Sequence, residues 1–172
     1  IINPKIFFFA SSSSVYGDLK KMPLKEKDNT DKPKSFYAAT KKCNEIMSYS
    51  YHQIYKLKIV GLRFFTVYGP FGRPDMAPFK FTKAAYENKT ISVHNYGIHQ
   101  RDFTYVSDIS DSIFKLLNKT SKKKLFEIIN ICSSKTIKLK NFIKIIEKYT
   151  EKRIKKKFIK KQKGDVIKTF GD

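Results

Sequence analysis

Short apolar runs alternate along the chain with polar stretches, and their lengths and periods predict most of the secondary structure. Residues 6–10 form a continuous apolar run that ends in four serines, the pattern of a buried parallel strand that leads into a loop. Mostly apolar runs at 58–65 and 126–131 predict two further strands. Residues 18–34 are polar and contain two prolines, which indicates a long loop.

A long helical pattern joins the first two strands. Ser35 stands directly before it as a candidate N-cap, and nothing interrupts the pattern until about Lys56. Strand, loop, helix and strand in this order form a βαβ unit, which implies a parallel sheet with a right-handed crossover.

The second half of the chain alternates shorter helical patterns with strand candidates. Helices are predicted over 78–88 and 141–150, a strand over 91–96, and a further helix is capped by Asp108. The apolar side chains expected to face inward from the last two helices are Ile109, Ile113, Leu116 and Leu117 in one, and Phe142, Ile145, Ile146 and Tyr149 in the other. The lysine runs 122–124 and 155–157 lie between these elements and are expected to be loops or exposed faces.

Composition places the chain among globular domains that lack a membrane span. It has 172 residues, of which 41% are hydrophobic and 30% charged, and no apolar run approaches the ~20 residues that a span requires. Its two cysteines, Cys43 and Cys132, are interpreted as small buried hydrophobic residues of a protein in a reducing, cytoplasm-like compartment. The spacing of cysteines and of the three histidines (His52, His94 and His99) does not fit a metal site, and no role is assigned to these histidines.

The formal charge of +21 raises the question of a polyanionic partner. Of the 36 basic residues only four are arginines, although arginine is the better bidentate reader of phosphates and bases. The excess of lysine therefore favours solvated basic faces and no specific nucleic-acid partner. A polyanion-binding protein remains an alternative, and its sign would be affinity for DNA or anionic lipid that persists near physiological salt.

One pair of residues in the long helix suggests acid–base chemistry. Tyr37 and Lys41 are four residues apart, so both side chains lie on one face, where an ammonium favours the phenolate form of a tyrosine. The spacing alone is weak evidence, because tyrosine and lysine are abundant and an exposed helix face accounts for it equally well.

Several longer motifs in a fixed order change this picture. They are Ser11–Gly17 (SSSSVYG), Tyr37–Lys41 (YAATK), Leu62–Pro70 (LRFFTVYGP), Arg73–Ala77 (RPDMA), Arg101–Val106 (RDFTYV) and Gly164–Val166 (GDV). With these motifs the chain resembles the extended short-chain dehydrogenases/reductases, the NAD-dependent epimerase/dehydratase family, and is most similar to its UDP-glucuronate 4-epimerases. The resemblance implies an α/β fold: the C-terminal part of a Rossmann-type parallel sheet in residues 1–70, and a smaller mixed α/β domain that binds the nucleotide-sugar in 71–172, whose segment 126–131 returns to the sheet.

The resemblance also implies a reaction, the epimerisation of a UDP-sugar at C4 with tightly bound NAD through a transient 4-keto sugar, most simply UDP-glucuronate to UDP-galacturonate. Tyr37 would take the proton of the 4-hydroxyl, Lys41 would hold the nicotinamide ribose and support the phenolate, and Ser12 would hydrogen-bond the 4-oxygen. Phe65 is assigned to the cofactor site together with Tyr37 and Lys41.

Substrate recognition is assigned on the same resemblance. Ser13, Ser14, Thr66 and Arg73 would bind the sugar carboxylate, Arg101 the diphosphate and Asp165 the uridine ribose. Dehydratases of the family carry carboxylates at the positions of Ser13 and Ser14, and decarboxylating members carry one at the position of Ser14, so both reactions are disfavoured.

The seven glycines contain no Gly-rich dinucleotide fingerprint. We therefore expect a fragment that lacks the Gly-rich N-terminal half, binds NAD weakly and is inactive alone, and that forms a homodimer at full length through the helix after Ser35 and the one after Asp108. Two alternatives stay open: another UDP-hexose 4-epimerase of the family, and an inactive remnant that acts as a binding module.

Overall fold

A computed structural model describes residues 4–119, 126–162 and 165–172 and confirms the predicted α/β class. The lysine run 122–124 and Gly164 lie outside the described residues. Four helices are present in these ranges: α1 (Phe36–Tyr55), α2 (Ala77–Tyr86), α3 (Val106–Lys119) and α4 (Leu139–Thr150). The strands are β1 (Phe7–Ser12), β2 (Ile59–Phe64), β3 (Thr66–Tyr68), β4 (Thr90–His94), β5 (Gln100–Arg101), β6 (Phe103–Tyr105), β7 (Phe126–Ile131), β8 (Ile137–Lys138), β9 (Lys155–Ile159) and β10 (Lys168–Thr169).

The two strands of the predicted βαβ unit form a parallel sheet together with β7, in the order β1, β2, β7. Phe7 is in register with Ile59, and Ile59 with Phe126, so the three carboxyl ends meet at one edge. The first strand is less buried than expected, because β1 lies at the margin of this sheet and Phe7 and Ala10 are exposed.

Helix α1 begins and ends as its local sequence predicts. The Ser35 hydroxyl accepts a hydrogen bond from the Ala38 amide at 3.1 Å, which confirms the N-cap. At the other end Lys56 adopts a left-handed conformation, and its amide donates to the carbonyl of His52. The buried residues Ala38, Glu45 and His52 follow one another at intervals of seven and mark the face that packs on the sheet.

The second half of the chain builds a separate core from α2, α4 and the parallel pair β4–β9. Strands β10, β5 and β8 form a small mixed sheet, and β3 pairs in parallel with β6. Fully or nearly fully buried side chains at the centre of this core include Val93 and Ile143. Among the described residues, no helix is both long and apolar enough to cross a membrane.

Several predictions for this half are wrong. Helix α3 begins at Val106, so Asp108 lies in its first turn and does not cap it, and Leu117 is 43% exposed. In α4 the buried residues are Phe142, Ile143 and Ile146, whereas Ile145 and Tyr149 are exposed. The apolar pattern is ambiguous here because isoleucines occupy 143, 145 and 146, and packing against α2 decides between them.

Two surface predictions also differ from the structure. Residues 155–157 are exposed as expected, but they belong to strand β9. Cys43 is exposed, whereas Cys132 is half-buried. The exposure of Cys43 follows from helix geometry, because it lies two positions before Glu45, which places it roughly 200° around α1 from that buried residue.

Candidate active site

The serines at the carboxyl end of β1 fold into a tight turn. Ser12 is the last strand residue, and Ser13–Tyr16 form a single 3₁₀ turn after it. The Ser12 hydroxyl accepts from the Ser14 amide and donates to the Ser14 hydroxyl, both at 3.2 Å. Gly17 ends the turn with a φ of 60°, a conformation that favours glycine. Ser12 itself is buried, and Ser13 and Ser14 are half-buried.

The first turns of α1 bring Tyr37 and Lys41 to this strand end. Lys41 Nζ donates to the carbonyl oxygen of Ala10 at 2.9 Å and lies 5.8 Å from the centroid of the Tyr37 ring. Tyr37 is 47% exposed, so it is not enclosed in the core. The three predicted catalytic residues, Ser12, Tyr37 and Lys41, thus all belong to the region where α1 meets β1.

A buried ion pair that the sequence analysis missed joins α1 to β2, and Ser11 of β1 bonds to it. Arg63 donates from Nε and Nη2 to the two carboxylate oxygens of Glu45, each at 2.8 Å. Burial alone raises the pKa of Glu45, but the hydrogen bonds from Arg63 and Ser11 and the Arg63 charge outweigh it and hold that pKa below its ordinary value. Two signals could have found the pair: Glu45 continues the i, i+4 series from Tyr37 and Lys41, and Arg63 interrupts an apolar strand.

A second group of predicted residues lines a cavity of 690 Å³ in the other half of the chain. Thr66, Arg101 and Asp165 contribute to its wall, together with His94 and His99. Arg101 Nη1 donates to the carbonyls of Gln100 and Ile167 at 3.0 and 3.2 Å. Burial lowers the pKa of Arg101, and the charge of Asp165 opposes that effect. The cavity therefore presents a cation with a carboxylate nearby, which suits a ligand with both anionic and hydroxyl groups.

Burial also affects His99, one of the two histidines that line this cavity. It lowers the pKa of His99, and the nearby Arg101 charge acts in the same direction. His99 is buried, and among the described residues its Nε2 has no hydrogen-bond partner. A neutral imidazole is therefore the form that this position favours.

The remaining predicted residues lie apart from both groups. Phe65 packs in a core cluster with Val15, Tyr16 and Leu24. Arg73 lies on a groove between α2 and α4, outside the cavity, where its Nε donates to an Asp75 carboxylate oxygen at 3.0 Å. This hydrogen bond and the opposite charges raise the pKa of Arg73 and lower that of Asp75.

The donor groups at the strand end are suited to part of a dinucleotide and not to a metal ion. Ser12, Tyr37 and Lys41 offer two hydroxyls and an ammonium, which match ribose and sugar oxygens. Among the described residues, no cluster of three or more His, Cys, Asp or Glu side chains could hold a metal. The residues present thus fit the nicotinamide ribose of NAD.

Comparison with known proteins gives a consistent result. Residues 2–132 match the model of the NAD dependent epimerase/dehydratase family. The chain is 52% identical over 95% of its length to an uncharacterized protein of Methanocaldococcus jannaschii, and covers 49% of that protein. It is 42% identical over 96% of its length to UDP-glucuronate 4-epimerase 4 of Arabidopsis thaliana, and covers 41% of it.

A solved structure shows the same arrangement of elements. The UDP-glucuronic acid 4-epimerase of Bacillus cereus, in complex with UDP-glucuronic acid and NAD, superposes with a TM-score of 0.90 at 35% identity. The match covers 97% of this chain and 52% of that one. The chain thus spans about half the length of the proteins it matches.

Proposed function

Because this chain belongs to the NAD-dependent epimerase/dehydratase family, we propose that the protein containing it epimerises a UDP-sugar at C4 and that the sugar is UDP-glucuronate. The observation that carries this proposal is the contact of Lys41 with both the β1 strand end and the Tyr37 ring, beside Ser12. A general base, a cation and a hydroxyl then lie where α1 meets the end of β1.

Each of these side chains has a separate task in the proposed reaction. Tyr37 accepts the proton of the sugar 4-hydroxyl and returns it after the sugar has turned over. The ammonium of Lys41, 5.8 Å from the ring, stabilises the negative charge that Tyr37 carries before it accepts the proton. Ser12 hydrogen-bonds the 4-oxygen and fixes the sugar against the base.

The cofactor of the family completes this set. NAD bound there would supply reversible hydride chemistry at C4 of the sugar, with no net oxidation. Lys41 and Tyr37 would hold its nicotinamide ribose through their ammonium and hydroxyl groups. Phe65 supports this site only indirectly, because it belongs to one core cluster with Val15 and Tyr16 of the 3₁₀ turn that follows Ser12.

Recognition of an acidic sugar is proposed to draw on three places: the strand end with Ser13 and Ser14, the cavity with Thr66, and the groove with Arg73. Ser13 and Ser14 provide hydroxyls where a carboxylate would repel the substrate, and Thr66 adds a third hydroxyl. Arg73 supplies the planar cation that binds a carboxylate bidentately. Arg101 and Asp165, which line the 690 Å³ cavity, bind the diphosphate and the ribose of the UDP moiety.

The test is an epimerase assay on the protein that contains this chain. We expect conversion of UDP-glucuronate to UDP-galacturonate, monitored through the NMR signals of the anomeric protons. Conversion should be lost in Tyr37→Phe. Arg73→Leu should reduce turnover of the acidic sugar alone. Equal loss on UDP-glucose and UDP-glucuronate would contradict carboxylate recognition, and conversion of neutral sugars only would favour another UDP-hexose 4-epimerase.

We also propose a homodimer through α1 and α3. The outer faces of both helices expose large apolar side chains, among them Ile54 at 67%, Tyr55 at 63% and Phe114 at 67%. Such faces are costly to leave in water, and a second copy presents the matching surface. Light scattering should give twice the monomer mass for the native protein and a monomer for Ile54→Glu.

A further inference from the structure

Glu45 is the centre of a buried hydrogen-bond cluster that joins three elements. Its carboxylate receives Arg63 from β2, and the same Oε1 atom accepts the Ser11 hydroxyl of β1 at 2.6 Å. Glu45 itself belongs to α1. One carboxylate therefore links the helix, the strand that ends at Ser12, and the neighbouring strand.

Arg63 makes further contacts besides the ion pair with Glu45. Its guanidinium lies 4.7 Å above the Tyr16 ring, and Nη1 donates to the Glu26 carbonyl at 3.3 Å. The Tyr16 hydroxyl donates in turn to Asn130 of β7 at 2.7 Å. The cluster thus also reaches the 3₁₀ turn after Ser12 and the third strand of the sheet.

Stability alone does not explain why an ion pair is buried at this position of the sheet. The side chains of Arg63 and Glu45 are only 4% and 6% exposed, so both ions lose most of their hydration. Well-packed apolar residues of similar volume often stabilise such a site as much or more. What an ion pair adds over apolar packing is directional contact, which fixes the relative position of the elements it joins.

The elements joined here are those that carry the proposed catalytic groups. Tyr37, Lys41 and Glu45 follow one another at intervals of four along one face of α1. Ser11, the strand residue that Glu45 holds, directly precedes Ser12.

We propose that Glu45, Arg63 and Ser11 form a positioning unit that holds Tyr37 and Lys41 of α1 in register with Ser12 at the end of β1. This proposal rests on the proposed function. None of the three residues touches the substrate; they act through the side chains that do. A misplacement of about 1 Å between reacting groups is enough to cost about a hundredfold in rate, so a small loosening should be measurable.

Ser11→Ala is the sharpest perturbation. It removes a single hydroxyl and leaves the Glu45–Arg63 pair intact, so the fold is expected to survive. We expect kcat for UDP-glucuronate to fall about tenfold while KM stays within about twofold, since the binding cavity is untouched. Ser11→Thr keeps the hydroxyl and should retain kcat within about twofold.

Glu147→Gln is the matched control for a charge-removing variant. Glu147 of α4 also accepts from a cation and a further donor, Lys156 Nζ at 2.6 Å and the Ile154 amide at 2.8 Å, but it is half-buried beside the separate core that contains Ile146 and Ile154. The kcat and KM of Glu147→Gln should equal those of the wild type, whereas Glu45→Gln should lower kcat.

An activity-independent measurement separates this proposal from the proposed function. Amide hydrogen exchange of residues 12–16 and 36–41 should accelerate in Ser11→Ala, and remain at the wild-type rate in Ser11→Thr and Glu147→Gln. If the wild type lacks epimerase activity, the proposed function fails while exchange still tests the positioning unit. Unchanged exchange, unchanged kcat in Ser11→Ala, or equal losses in Ser11→Ala and Ser11→Thr would overturn the positioning role.

Discussion

Removing one partner of the Arg63–Glu45 pair should destabilise the protein strongly. Arg63→Met keeps an unbranched apolar stem but removes the guanidinium, and so leaves an unpaired carboxylate in a site that is only 6% exposed. Breaking a buried pair in this way costs about 3–5 kcal/mol, a large share of the roughly 5–15 kcal/mol of a typical domain. At about 2–4 °C per kcal/mol, the melting temperature should fall by roughly 6–20 °C.

Urea unfolding followed by circular dichroism measures this change, with an unchanged slope as the sign that the unfolded state is unaffected. Arg73→Met is the matched control, because Arg73 makes a similar ion pair at the surface and its loss should leave the urea midpoint in place. The double variant Arg63→Met/Glu45→Met should recover most of the lost stability, since no buried charge is then unpaired. A loss below about 1 kcal/mol in Arg63→Met, or no recovery in the double variant, would refute the reasoning.

Three further predictions rest on single groups. The pKa of Glu45 lies below its ordinary value of 4.5, so the stability that this carboxylate contributes is complete above pH 4.5 and is lost as the pH falls through the lower folded pKa. In Arg63→Met burial acts on Glu45 without the cation and raises the pKa of this carboxyl. Lowering the pH from 7 to 5 should therefore raise the free energy of unfolding of that variant. Asp75→Asn should free the Arg73 guanidinium and lower KM for UDP-glucuronate with no change for UDP-glucose, and steady-state assays showing equal shifts would contradict this. Gly17→Ala should cost about 1–3 kcal/mol in chemical unfolding, because its φ of 60° is unfavourable and the added Cβ meets a backbone carbonyl oxygen; a stability equal to wild type would be inconsistent with that turn.

The sequence predicts the βαβ unit well because its signals are local and agree. A serine cap, an uninterrupted helical pattern and two apolar runs leave one arrangement, which the structure confirms at Ser35 and in the parallel pairing of β1 with β2. Helix α4 is harder, since three isoleucines in four positions offer two possible inner faces. Only the partner helix α2 selects the face with Ile143.

Contacts between distant segments could not be read from the pattern. The strand β9 pairs with β4, which lies more than sixty residues earlier in the chain. Because β9 begins with three lysines, its sequence lacks the alternation of apolar and polar residues that predicts a strand. The Glu45–Arg63 pair is hidden for a related reason. Each residue carries a signal within its own element, but only the packing of α1 on β2 makes them partners.

One buried carboxylate explains why motifs that are separate in sequence meet in space. Asp102, which is fully buried, accepts at Oδ1 from the amide and hydroxyl of Ser133, in the segment after β7. Its backbone carbonyl accepts from the amide of Thr66, and its own amide donates to Thr169. The neighbouring Arg101 and the strand β3 are therefore fixed to the end of the parallel sheet. Asp102 thus links the segment that follows the sheet strand β7 to the segments that line the cavity with Thr66 and Arg101.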